Sequence, residues 1–203
     1  MNSSNRRPMM TVYSDPSCPF SHRTRIVIHE KNINANIETI IDGQWPEDVA
    51  ASNPYGIGPT LMDRDLVLFN SNVIIAYFDE RFPHPALMPV DPVARAKTRL
   101  MLHRIDKDWY SLWPALVEGK PAKARKTIQE DLTVLAPIFA ESEFFMGNQF
   151  SVLDCSLAPL LWRLPMLGIK LPASAKAVDA YAQRIFARDS FQASLSDLER
   201  SMR

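Results

Sequence analysis

Cys18 is the residue of this chain best placed for chemistry, because Cys18-Pro19-Phe20-Ser21 stands at the predicted start of a helix. Backbone N–H groups and the helix dipole at such a position stabilise a thiolate, the nucleophilic form of cysteine. Ser21 stands where a second cysteine would complete a dithiol, so the motif cannot cycle through an internal disulfide. A mixed disulfide between Cys18 and a small thiol is still compatible with the motif. The alternative is a partly buried cysteine without a chemical role.

A second motif, Gly58-Pro59-Thr60-Leu61, lies about forty residues later and leads into a predicted strand over residues 66–69. Proline at this point is typical of thioredoxin-like domains, where its peptide bond is cis and the neighbouring backbone pairs with a peptide-like ligand. Pro59 and Cys18 together therefore predict the thiol end of a peptide-binding cleft. The alternative is that Pro59 determines the fold and binds no ligand.

Asn70 and Ser71 follow that strand, where glutathione-binding domains of this kind carry an acidic residue and a serine. A carboxylate there would pair with the γ-glutamyl ammonium, whereas the amide of Asn70 can form a hydrogen bond but supplies no charge. Ser71 could bind a carboxylate group, although its main predicted role is to cap the next helix. Cys18, Pro59, Asn70 and Ser71 thus predict the frame of a glutathione site with one anchor missing.

The segment Pro83-His84-Pro85 is a candidate contact for a partner protein. Its prolines hold the backbone extended, so the imidazole of His84 would be presented with little entropy left to lose on binding. The alternative is a linker turn in which the histidine is incidental. His22, His29 and His103 are expected on helix surfaces, and no histidine has metal-ligand spacing with another or with a cysteine. No metal and no cofactor is predicted.

The charge balance argues against direct binding to nucleic acid, since 23 Lys and Arg residues face 23 Asp and Glu residues. Contact with nucleic acid is therefore expected only through another protein. No apolar run approaches the roughly 20 residues of a membrane span, and the polar start has no secretory signal. Two cysteines in 203 residues are not a disulfide scaffold, which favours a reducing cytoplasm.

The order of predicted elements indicates an α/β domain followed by an all-α domain. We expect a disordered tail over 1–9, a thioredoxin-like domain over 10–83, a proline-rich linker over 84–92 and an all-helical domain over 93–203. In the helical domain, long helices are predicted over 92–118, 121–140 and 153–167, with two more helical segments near 174–188 and 194–202. Ser151 and Asp154 form a capping box that opens the third of these helices. Cys155 is expected to be a core thiol.

The first long helix carries a mixed polar and apolar face at helical spacing. Its members are Arg95, Arg99, Leu102 and Asp106. Such a face suits a two-fold symmetric contact between copies of the chain, so a homodimer is predicted.

The layout of these motifs resembles glutathione S-transferase-like proteins, and within them the stringent starvation protein A family. The closer resemblance rests on four segments: 77–90, which contains Pro83-His84-Pro85, together with 103–110, 158–165 and 188–195. It spans about residues 10–203.

This resemblance implies a glutathione-transferase fold, a dimer whose interface includes the first helices of the second domain, and association with RNA polymerase in starvation and acid stress. It also implies that Pro83, His84 and Pro85 belong to the surface used for the polymerase complex and that the protein is not an enzyme. Cys18 departs from the family pattern. A glutathione-dependent thioltransferase that uses Cys18, Pro59 and Ser71 is therefore the second hypothesis, and a sensor of a small molecule is the third.

Overall fold

The structure, a computed structural model, describes residues 10–41, 43–119 and 121–203. The predicted tail over residues 1–9 lies outside the described residues. A four-stranded sheet has the order β2-β1-β3-β4, with β1 and β2 parallel and the other neighbours antiparallel. The strands are β1 (Thr11–Ser14), β2 (Asn36–Thr39), β3 (Thr60–Asp63) and β4 (Leu66–Phe69). The mixed sheet and its helices match the thioredoxin-like domain that the sequence predicts.

Three helices belong to this first domain: α1 (Pro19–Glu30), α2 (Glu47–Ser52) and α3 (Ser71–Arg81). Pro19 opens α1, where its missing N–H costs no helical hydrogen bond. Residues 19–28 of α1 are all buried except Phe20, because α1 packs against α3 of its own domain and against the second-domain helices that begin at Val152 and Asp189. This helix therefore carries much of the contact between the two domains.

The second domain is helical, as predicted. Its helices are α4 (Pro92–Arg104), α5 (Trp113–Val117), α6 (Pro121–Glu141), α7 (Val152–Arg163), α8 (Lys176–Phe186), α9 (Asp189–Ser194) and α10 (Asp197–Arg200). Ser151 and Asp154 form the predicted capping box at the start of α7. Every residue of α7 is buried, Cys155 included, so this helix is the centre of the domain.

Two helical predictions need correction. The predicted long helix over 92–118 is interrupted, because Ile105–Trp109 form a π-helical turn and Tyr110–Leu112 a 3-10 turn before α5. A π-helical turn widens the helix locally, and here it contains Asp106, which bonds to the first domain. The predicted helix over 153–167 ends at Arg163, after which residues 164–168 form turns.

No helix in the described part of the chain is long and apolar enough to cross a membrane. Among the described residues, no group of three or more His, Cys, Asp or Glu side chains is placed to hold a metal ion.

Candidate functional site: a thiol cleft and a clamped surface segment

Cys18 is the N-cap residue of α1, as the sequence predicts. Its thiol donates to the carbonyl oxygen of Gly58 at 3.6 Å, so the two motifs lie side by side. Burial raises the pKa of the Cys18 thiol and outweighs the backbone N–H groups of Ser21 and Phe20, which lower it. The helix start therefore does not give Cys18 an acidic thiol.

Gly58 is held close to the Cys18 loop. A Cβ atom at Gly58 would lie 2.6 Å from Oγ of Ser21, so a side chain there would push the two segments apart. Ser21 Oγ in turn accepts a hydrogen bond from the Asp15 backbone N–H at 3.1 Å. The peptide bond between Gly58 and Pro59 is cis. The cis peptide bond before Pro59 therefore lies beside the Cys18 loop, as the sequence predicts for a thioredoxin-like cleft.

Asn70, and not Ser71 as predicted, is the N-cap of α3. Its side-chain oxygen accepts from the backbone N–H groups of Asn72 at 2.9 Å and Val73 at 3.4 Å. Asn70 has a φ of 84°, a conformation that asparagine tolerates better than most residues. Capping thus falls to the amide, which leaves the Ser71 hydroxyl for another partner.

That partner is Arg23, a buried residue of α1 that the sequence analysis did not single out. Its Nε donates to Ser71 Oγ at 2.8 Å, and its Nη1 donates to Asp106 of the π-helical turn at 2.7 Å. Asn72 also donates to Asp106, so the first domain holds this carboxylate from two sides. The Ser71 oxygen therefore accepts from a guanidinium whose charge Asp106 already pairs, while the O–H of Ser71 can still donate to a ligand.

The cleft beside these residues is a cavity of about 640 Å³. Aromatic side chains contribute much of its lining: Phe20, Tyr55, Phe69 and Tyr110. Asn70 and Ser71 also line it. Within the described part of the chain, the lining includes Gly58 but neither Cys18 nor Pro59. The four residues of the predicted glutathione frame are thus neighbours, but they do not all face one open cavity.

Pro83, His84 and Pro85 are exposed on the surface between α3 and α4. Directly beneath them lies a buried ion pair, in which Lys31 Nζ is 2.8 Å from Oδ1 of Asp79. Lys31 also donates to the Pro85 carbonyl oxygen. The exposed segment is therefore bonded to Lys31, and no local sequence pattern marked either Lys31 or its partner Asp79.

A second buried cluster of charges joins α1 to the C-terminal end of the chain. Glu199 is fully buried and pairs with Arg25 and Arg163. His22, predicted on a helix surface, is fully buried in the same cluster. Arg163 contacts Nδ1 of His22 at 2.9 Å, and Ser194 Oγ lies 3.1 Å from its Nε2.

The contacts of His22 fit a neutral imidazole. A guanidinium can only donate, so Nδ1 accepts from Arg163 and the proton sits on Nε2. Burial, followed by the charges of Arg163 and Arg25, holds the pKa of His22 well below its ordinary value. Glu199 is 3.3 Å from Nδ1 and would favour the imidazolium, but burial and the two guanidinium groups outweigh it.

Comparison with known proteins decides the family. The chain is 46% identical over 198 residues to the "Stringent starvation protein A homolog" of Pasteurella multocida, covering 96% of this chain and 93% of that protein. A homologue of the same name from Coxiella burnetii is 46% identical over 202 residues, covering 98% and 97% of the two chains. This chain belongs to the stringent starvation protein A family.

Family models place this chain within the glutathione-transferase fold. The model described as "Glutathione S-transferase, N-terminal domain" matches residues 12–86, and that for the C-terminal domain matches residues 100–189. Among solved structures, glutathione transferase Omega 3C from Trametes versicolor superposes with a TM-score of 0.81 at 26% identity, covering 93% of this chain and 84% of that one. The predicted fold and the predicted family are both confirmed.

Proposed function

We propose that this protein is a non-catalytic regulator that binds the RNA polymerase holoenzyme in the cytoplasm and acts in the starvation and acid-stress response. The family resemblance implies this partner. The observation that carries the proposal is that Pro83, His84 and Pro85 are exposed next to a fixed point of the backbone. All three residues are exposed, while the residue below them, Leu87, is 2% exposed and fixed. A rigid, exposed segment can bind with little loss of entropy, which suits a protein contact.

The test is a direct binding measurement with RNA polymerase holoenzyme purified from the same organism. Replacing Pro83, His84 and Pro85 together with alanine is expected to weaken binding at least tenfold, because partner contacts of this kind carry energy out of proportion to their area. The melting temperature and the mass in solution are measured on the same variant. Unchanged affinity in a folded variant would place the polymerase contact elsewhere.

We further propose that the regulator is a homodimer formed through a groove of about 590 Å³ between the two domains. Arg95, Arg99, Leu102 and Asp106, the predicted dimer face, all line this groove. Val73 of α3 and Leu68 of β4 line its other side. None of the residues of α4 is buried, although Val93 and Leu100 are apolar and more than half exposed. A second copy that presents the same surface would cover the groove, whereas Val93 and Leu100 do not line it.

Thioltransferase activity at Cys18 is the second candidate, favoured by the position of this thiol at the N-terminus of α1 and by the Omega-class transferase that superposes on the chain. Its reaction would need a thiolate, and the raised pKa of Cys18 opposes this. Cys155 is fully buried, so alkylation of the native protein reports on Cys18. Alkylation at pH 7 as fast as that of a free cysteine, lost in Cys18→Ser, would favour the transferase instead.

A further inference from the structure

Lys31 and Asp79 lie beneath the proposed polymerase contact and connect it to two helices of the first domain. Lys31 is the C-cap residue of α1, and Asp79 lies in the last turn of α3. Their side chains are 0% and 5% exposed. A buried pair of charges costs desolvation, so pairing alone gives little net stability compared with apolar residues of similar size. Its hydrogen bonds to the adjoining segment point to another use.

Asp79 accepts hydrogen bonds from the chain just after Pro85. Its Oδ1 accepts from the backbone N–H of Leu87 at 2.9 Å, and its Oδ2 accepts from that of Met88 at 3.2 Å. Lys31 donates to the carbonyl oxygen of Pro85 itself. The pair therefore bonds to the backbone at three of the four positions from 85 to 88, namely Pro85, Leu87 and Met88.

Leu87 fixes the far end of the same segment to the second domain. Its carbonyl oxygen accepts from the backbone N–H of Val152 at 3.0 Å, at the first residue of α7. Its side chain is 2% exposed and belongs to the hydrophobic core. At the near end, the N–H of Phe82 closes α3 by donating to Phe78. The exposed residues 83–86 thus run between two fixed points, with the bond from Lys31 to Pro85 between them and the bonds of Asp79 at the far end.

We infer that Lys31 and Asp79 are positioning residues for the partner contact: they hold Pro83-His84-Pro85 in the conformation that the partner meets. The inference rests on the proposed function, because it assigns the pair to the same surface. Proline restricts φ but leaves ψ free, so the two prolines alone do not set the direction of His84. A bond from Lys31 to the Pro85 carbonyl limits the ψ of that residue, and the bonds from Leu87 and Met88 to Asp79 fix the backbone two and three residues further on.

Two variants separate positioning from stability. Lys31→Met removes the ammonium and leaves the buried carboxylate of Asp79 without its counter-charge, so it is expected to destabilise the fold. Lys31→Met combined with Asp79→Asn removes both charges, which should restore part of the stability, but nothing bonds Pro85 in either variant. Leu132→Ala is the matched control, since Leu132 is fully buried in α6 and its truncation destabilises the protein without touching the segment.

The experiment measures, on the full-length dimer, hydrogen exchange over residues 83–88 and affinity for purified RNA polymerase holoenzyme. Both Lys31 variants should show faster exchange in this segment and affinity reduced about tenfold, because backbone freedom returns and must be lost again on binding. Leu132→Ala should lower the melting temperature about as much as the Lys31 variants do, but it should keep wild-type affinity for the polymerase.

The other outcomes contradict the inference in distinguishable ways. If both Lys31 variants bind as tightly as the wild type while the triple alanine variant does not, the pair has no positioning role and the proposed contact stands. If Leu132→Ala loses affinity to the same extent, binding follows stability and the positioning role is rejected. If the triple alanine variant itself binds normally, the proposed contact and the inference fall together.

Discussion

Single residues decide whether this protein can bind glutathione. The Ser71 oxygen accepts from Arg23, so its O–H can still donate to a γ-glutamyl carboxylate, but the charge of Arg23 is already paired by Asp106. Asn70 caps α3 with its side-chain oxygen and brings no negative charge for the γ-glutamyl ammonium. At Asn70 and Ser71, the γ-glutamyl ammonium therefore finds no charged anchor, and the γ-glutamyl carboxylate finds a hydroxyl beside a guanidinium whose charge is already paired.

Calorimetry with reduced glutathione should give no tight binding to the wild-type protein. Asn70→Asp should keep the cap, since aspartate is as good an N-cap residue as asparagine, and add the missing charge. A charge-assisted hydrogen bond contributes about 1.5–3 kcal/mol, so the affinity of Asn70→Asp should exceed that of the wild type about tenfold or more. A micromolar dissociation constant for the wild-type protein would refute this account of Asn70.

At the scale of elements, α1 connects the two domains through buried ion pairs. Arg23 reaches Asp106 and Arg25 reaches Glu199, both in the second domain, while Lys31 at the C-cap of α1 pairs with Asp79 of α3 within the first domain. The pair with Glu199 ties α1 to α10, and Arg163 of α7 joins the same carboxylate. Because breaking one member of such a pair leaves a buried charge, α1, α7 and the C-terminal helix should unfold together.

The neutral state of His22 within this cluster predicts a pH dependence. The folded protein leaves His22 unprotonated, whereas the unfolded chain binds a proton near pH 6.5, so the stabilising contribution is complete above that pH and is lost as the pH falls. The charged groups that face the ring are Arg25 on its own helix, Arg163 on α7 and Glu199 on α10. The free energy of unfolding should fall by up to about 1.4 kcal/mol per pH unit below pH 6.5 from this group.

Urea denaturation at pH 7, 6 and 5 and at constant protein concentration measures this effect. His22→Gln should be less stable at pH 7 but should lose less stability on acidification than the wild type. His84→Gln, at an exposed histidine, is the control, and its free energy of unfolding should change with pH as steeply as that of the wild type. If the free energy of unfolding falls with pH equally steeply in His22→Gln and in the wild type, His22 is not the group that causes the loss of stability.

The elements themselves were predictable from sequence because their signals are local. Pro19 at the start of α1, the turn at Arg64 and Asp65, and the Ser151–Asp154 capping box each act within a few residues. The partners of Arg23 and Lys31 lie dozens of residues away, at Asp106 and Asp79, so no local pattern marks them. His22 was assigned to the surface for the same reason, since the elements that bury it come at the other end of the chain.

At the scale of the whole molecule, the groove between α3, β4 and α4 predicts that the protein is a dimer. Light scattering at micromolar concentration should give twice the monomer mass of 23.0 kDa. Val73→Glu should shift the mass toward the monomer, because Val73 lines the groove and is 48% exposed, so a charge there disturbs the contact between copies without entering the core.

Val134→Glu is the matched control, because Val134 is 76% exposed on α6 and does not line the groove. Its mass should equal that of the wild type. A wild-type mass near that of one chain, or a shift in Val134→Glu as large as that in Val73→Glu, would reject this groove as the dimer interface.

Site-specific cross-linking tests the proposed polymerase contact most directly. A photo-reactive benzophenone side chain in place of His84, in the protein mixed with RNA polymerase holoenzyme, should cross-link to a polymerase subunit or to the sigma factor. The same group in place of Val134, which is also exposed, should not. Strong cross-linking from position 134 with none from position 84 would contradict the claim that Pro83-His84-Pro85 is the surface through which this protein meets the polymerase.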